Sequence, residues 1–179
     1  MTKRLKKLSL AAMFIAIGLL LPFITMQIPE IGKLLCPMHI PVMLCGLVCG
    51  APYGLAVGFI TPLLRGLLFG MPALYPSAAG MAFELAAYGF TIAVIYSLFK
   101  KKSIGAVYIS LIASMLAGRA VWGIARMVML GLSGPETAGF SLGYFLTSGF
   151  VEAIPGIILQ LILIPAIMEA LRRFGLLPQ

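Results

Sequence analysis

The sequence has no aspartate; its five acidic residues are all glutamate, and only 10% of its 179 residues are charged. A soluble domain of this size carries about a quarter charged residues. With 61% apolar residues, too little polar surface is left to cover a water-facing globule. The lack of aspartate also disfavours the acidic relays common in proton-driven pumps. No G-x-x-x-x-G-K-[ST] loop is present, so the chain does not bind ATP in the P-loop manner. Neither G-x-S-x-G nor H-E-x-x-H occurs and His39 is the only histidine, which leaves an intramembrane serine or metal hydrolase little to work with. Cysteine is scarce too. Cys36, Cys45 and Cys49 cannot form a closed disulfide set, and Cys45 and Cys49, one helical turn apart, have no second ligand pair for a metal. They read as small packing residues.

What the chain does have is long apolar runs without period-2 alternation. In lipid a helix closes its own backbone hydrogen bonds, so the runs point to helices rather than an outer-membrane barrel. The expectation is an all-α membrane protein, one integral domain over 1–179 built as a bundle of six transmembrane helices. The spans fall near 5–28, 38–49, 54–70, 77–99, 104–130 and 142–171. The basic, then apolar N-terminus resembles a secretory signal, but its apolar stretch is of spanning length and no A-x-A-like site follows, which favours a retained first span. The second and third spans are short and broken by Pro41 and Pro62, a pattern associated with opening a cavity.

Charge gives these spans a direction. Lys3, Arg4, Lys6 and Lys7 precede the first, Lys100, Lys101 and Lys102 join the fourth to the fifth, and Arg172 and Arg173 follow the sixth. With six spans all of these lie on one side, whereas the opposite loops hold only Lys33. The positive-inside rule then puts both termini in the cytoplasm. Most of the +8 net charge is this topological signal and needs no nucleic acid. The outer loops, near 29–37, 71–76 and 131–141, carry Glu30, Lys33, Tyr75 and Glu136, so recognition is expected outside.

Several ionisable residues lie within or at the ends of the spans: His39, Arg65, Glu84, Arg119, Arg126 and Glu152. A charge at the bilayer centre costs about 2.5 kcal/mol or much more, which makes each a functional hypothesis. Counted from the outer ends, they occupy the outer half of the membrane, with Arg119 near the middle. Arg119, Trp122 and Arg126 share one face of the fifth helix, and Tyr88 lies one turn from Glu84. An Arg–Trp–Arg face holds a planar or carboxylate-bearing ligand through forked hydrogen bonds and cation–π contact. The competing reading is structural ion pairing that locks the bundle. Three arginines against two glutamates leave one cation in excess, a lean toward a carboxylated or zwitterionic ligand. On the first helix Ala12 and Ala16 form a small-xxx-small pair, which spacing alone assigns equally to internal packing or to an approaching partner helix.

The run CPMHIPVMLCGLVCGAPYGLAVGFITPLLRGLLFGMPALYPSAAGMAFELAAYG, from Cys36 to Gly89, resembles the substrate-binding S components of energy-coupling factor (ECF) transporters. The likeness extends in layout over the whole chain: six spans, a basic N-terminus, a basic connection after the fourth span and a basic C-terminus. It implies a non-enzymatic receptor in the bacterial plasma membrane, without cofactor or metal, that captures a vitamin or related micronutrient from outside. Pantothenate or another carboxylated vitamin fits the basic excess, with riboflavin, folate, a pyridoxal-type or a pyrimidine compound open. The resemblance further implies docking on a transmembrane coupling subunit driven by two ATPase subunits, and Ala12 and Ala16 match the family's Ala-x-x-x-Ala docking motif. The expected ligand-binding set, from topology and helix faces, is His39, Arg65, Tyr75, Glu84, Tyr88, Arg119, Trp122, Arg126 and Glu152. The alternative is a stand-alone secondary transporter or channel using Glu84 or Glu152 as a proton site; a membrane enzyme with His39 as acid or base is the third reading.

Overall fold

The computed structural model describes residues 2–24, 35–132, 147 and 151–175. Among these the fold is an all-α bundle: α1 (Lys3–Ile24), α2 (His39–Cys49), α3 (Ala51–Phe69), α4 (Ala79–Leu98), α5 (Ile104–Leu132) and α6 (Ile154–Arg173). Five of them are long and apolar enough to cross a bilayer. The second, α2, has 11 residues. At 1.5 Å per residue it covers about half of a ~30 Å hydrocarbon core. The chain is thus a multi-span membrane protein with six described helices, of which α2 is too short to span. The outer ends expected for the first and sixth spans, 25–28 and most of 142–150, lie outside the described residues.

Local chemistry explains the breaks. Gly50 sits at φ 99°, joins α2 to α3, and donates its N–H to Gly46 O at 3.1 Å while accepting from Gly54 N at 3.0 Å. A residue with a Cβ is strained there. Pro52 follows in the first turn of α3, where a missing N–H costs nothing. Gly70, in the left-handed conformation, ends α3. An irregular turn, Leu74–Ala78, then leads into α4. Pro155 starts α6, and Arg172 and Arg173 in its last turn suit the negative end of the helix dipole.

The core is built from α2, α3, α4 and α5, with α4 packed against both α3 and α5. A Cβ on Gly54 or on Gly89 would overlap the other residue's backbone, and one on Gly58 would overlap Leu85 O. Small residues let backbones meet where no water drives helices together. Pro41 and Pro62 are fully buried within this packing. Neither lines the chamber described below. In contrast, α6 touches the bundle only sparsely, through α5 and α2. At the basic end Lys102 Nζ donates to Tyr96 O at 2.6 Å and sits 4.6 Å from the Tyr96 ring centre, while Arg172 donates to Lys102 O at 3.3 Å. These contacts tie the α4–α5 turn to the end of α6.

Candidate functional site

Helix length gives the depth of each polar group. Measured from the helix ends nearest the basic turns, Arg65, Glu84 and Arg119 lie about 21–22 Å along their helices, and His39 about 15 Å. All four are buried: His39 3%, Arg65 3%, Glu84 2% and Arg119 8% exposed.

Three of them meet. Arg119 Nη1 donates to Glu84 Oε1 at 2.8 Å, and His39 Nε2 lies 3.6 Å from the same oxygen, beyond hydrogen-bond reach. The His39 ring packs edge-on against Tyr88, with centroids 5.1 Å apart and planes at 74°. Among the described residues neither His39 nitrogen has a hydrogen-bond partner, nor does Arg119 Nε. A guanidinium with spare donors beside an imidazole with both nitrogens open is unfinished as a structural ion pair. Buried polar groups are ordinarily satisfied, so such a set calls for a missing partner.

Beside this cluster lies a chamber of about 230 Å³ between α4, α5 and α6. Tyr88, Met115, Arg119, Ile157 and Gln160 line it, and Cys36 closes one side. Arg119 Nη2 approaches the Cys36 sulfur at 3.9 Å. Burial raises the Cys36 thiol above its ordinary pKa, and neighbouring Arg119 offsets this only in part. The thiol is therefore a neutral wall group. Tyr88 reaches its place because α5 carries Gly118 opposite: a Cβ there would lie 2.7 Å from the ring.

The other expected site residues lie elsewhere. Arg65 faces α1, donating from Nη1 to Leu19 O at 2.7 Å, with its guanidinium 5.3 Å from the Phe23 ring centre and 5.5 Å from that of Phe69. Cation–π and carbonyl contacts satisfy it without a carboxylate. Arg126 stacks on Trp122 at 5.8 Å, and its Nε is buried without a partner among the described residues. Tyr75 is exposed and donates from its hydroxyl to Met129 O at 2.6 Å, fastening the turn before α4 to the end of α5. Glu152 is exposed and makes no ion pair among the described residues, so it is not part of the buried cluster. Gln160, 3% exposed, was not anticipated. Its one signal is that it alone is polar within the apolar run Ile157–Met168. Among the described residues no three His, Cys, Asp or Glu side chains could hold a metal ion.

A multi-span helical bundle with a buried ionic cluster and a side chamber at membrane depth defines a membrane binding or transport protein. The family model for the ECF transporter substrate-specific component matches residues 6–168. The chain belongs to that family, and it is a transport protein rather than an enzyme. Proteins of this family work in the bilayer with transmembrane and ATPase module subunits. Neither a comparison with curated proteins nor one with solved structures gives a match.

Proposed function

We propose that this chain is the membrane-embedded, high-affinity binding subunit of an ATP-driven ECF-type importer for a vitamin or related micronutrient. It forms one domain, lies in a bacterial plasma membrane with both termini in the cytoplasm, and takes its ligand from the outer side. The observation that carries the reading is the Glu84–Arg119 pair with His39 and Tyr88: a buried polar cluster, incompletely satisfied, beside a chamber. A chain without nucleotide-binding residues needs its energy from partners, here a transmembrane coupling subunit and two ATPase subunits.

The ligand is proposed to be carboxylated, pantothenate being one example. The arginine available for a carboxylate is Arg126, since Arg65 is engaged by Leu19 O and Arg119 by Glu84. Arg126 lies two turns from Arg119 on the same face of α5, about 10 Å further toward the outer end. Its neighbour Trp122 supplies an aromatic surface.

The test is uptake in vesicles. The chain alone should retain ligand through purification but accumulate none, and accumulation should appear on adding the coupling and ATPase subunits with ATP. Accumulation by the chain alone, driven by a pH gradient, would select the proton-coupled carrier instead.

A further inference from the structure

Gln160 is the most exactingly placed polar group that the site has not yet used. It sits on α6, 3% exposed, in an otherwise apolar stretch, and lines the chamber opposite Tyr88 and Arg119. No hydrogen bond engages its side-chain amide among the described residues. Its amide offers two donors and one acceptor to whatever enters the chamber it lines.

Two further observations describe that occupant. The first is size. A cavity of about 150 Å³ holds benzene. The 230 Å³ here, open on one side, therefore admits a substituted ring or a group of that bulk. The second is charge. Arg119 lines the chamber, but its charge is balanced by Glu84 at 2.8 Å. Around this neutral pair the walls are largely apolar, with Met115, Ile157 and Leu161 among them. A charged group entering would lose its hydration without a counter-ion. A neutral group with a donor beside an acceptor would instead match the Gln160 amide on both sides.

We infer that the chamber between α4, α5 and α6 takes the uncharged, amide-like head of the ligand, with Gln160 as the residue that reads it. This deepens the proposed binding function and rests on it. Any carboxylate of the ligand then points outward, toward Arg126. Ligands ionised at the buried end are rejected because, among the described residues, the chamber has no free counter-charge.

Benzamide and benzoate test this directly, since they share a ring and differ in the neutral amide against the carboxylate. Binding of each to the full chain in detergent is measured by titration calorimetry. Benzamide should bind at millimolar concentration, at least about tenfold more tightly than benzoate. Gln160→Leu should abolish that preference while its own unfolding midpoint stays level or rises; Gln160→Met should do the same. Equal or tighter binding of benzoate would overturn the inference. So would an absence of benzamide binding, or a midpoint lowered in both variants, which would mean that the amide already has a structural partner. Vesicle uptake decides the importer reading separately: failed coupling with an intact benzamide preference would sink that reading and leave the chamber's selectivity standing.

Discussion

Arg119 of α5 and Glu84 of α4 form an ion pair at 2.8 Å with side chains 9% and 3% exposed, and the sequence separates them by a complete helical hairpin. Each is the other's main compensation for leaving water. Breaking a buried pair by removing one member costs about 3–5 kcal/mol, because the survivor is left uncompensated. Replacing both with apolar residues of similar volume costs far less. Glu84→Leu and Arg119→Met should each lower the unfolding midpoint in detergent strongly, and the double variant should recover most of the loss. Additive losses in that cycle would show that the pair does not act as a unit.

Gly118 places Tyr88 beside the cluster. A Cβ at that position falls 2.7–2.8 Å from three atoms of the Tyr88 ring, so one of the two must shift. Overpacking of this kind costs about 1–3 kcal/mol. Gly118→Ala should therefore destabilise the fold by about that amount, although alanine is intrinsically the better helix former. Adding Tyr88→Leu should remove most of the penalty, since the shorter side chain vacates the contact. If the two changes simply add in thermal unfolding, the proposed steric conflict is absent.

The α3–α4 crossing makes a stronger demand. Gly54 and Gly89 face each other so closely that a Cβ on either meets the other's backbone. Backbone cannot swing aside as a side chain can. Gly89→Val should separate the helices and abolish accumulation of folded protein in the membrane. Gly105→Ala is the control, because its Cβ would meet only Ser103 Oγ at 3.8 Å. That variant should be as stable as the parent, or slightly more so; folded yield by size-exclusion chromatography reads both.

Some of this was legible in the sequence. Apolar run length and the basic turns suffice for a helical membrane bundle, and the one-turn spacing of Glu84 and Tyr88 correctly puts them on one buried face of α4. Membrane depth, however, is not lateral position. Arg65 shares the depth of Glu84, but its face of α3 turns toward α1, where Phe23 and Phe69 receive it. That orientation depends on how α1 crosses α3, at Gly18 against Thr61. Hydropathy does not encode such a crossing. Glu152 has the depth of the cluster too, but it is exposed in the turn just before α6. Gln160 carries no charge, so its signal in the sequence is fainter: a single polar residue in an otherwise apolar run.

Arg65 gives a prediction that separates the two readings of an intramembrane arginine. It bonds Leu19 O at 2.7 Å and stacks against two phenylalanine rings, and it does not line the chamber. Arg65→Met keeps the length and apolar stem but removes the hydrogen bond, leaving the Leu19 carbonyl without this partner. A hydrogen bond to a charged group contributes about 1.5–3 kcal/mol. The variant should lose stability on that scale in thermal unfolding and retain the parent's ligand affinity. A large fall in affinity with unaltered stability would return Arg65 to the binding site.

Ala12 and Ala16 lie on the exposed side of α1, whereas Ala11, Phe14 and Gly18 are buried against the bundle. Internal packing, the alternative that spacing left open, is therefore not their use within this chain. Their neighbours Leu8, Met13 and Leu20 are also exposed, giving a lipid-facing surface with a shallow strip of small residues. A partner helix can approach closely along such a strip, and two leucines would fill it. Ala12→Leu combined with Ala16→Leu should prevent co-purification with the coupling subunit and abolish ATP-dependent uptake. Ligand retention and the unfolding midpoint of the isolated chain should be unchanged, because neither side chain packs internally. A lowered midpoint or lost ligand would place the alanines inside the fold; intact uptake would place the docking surface elsewhere.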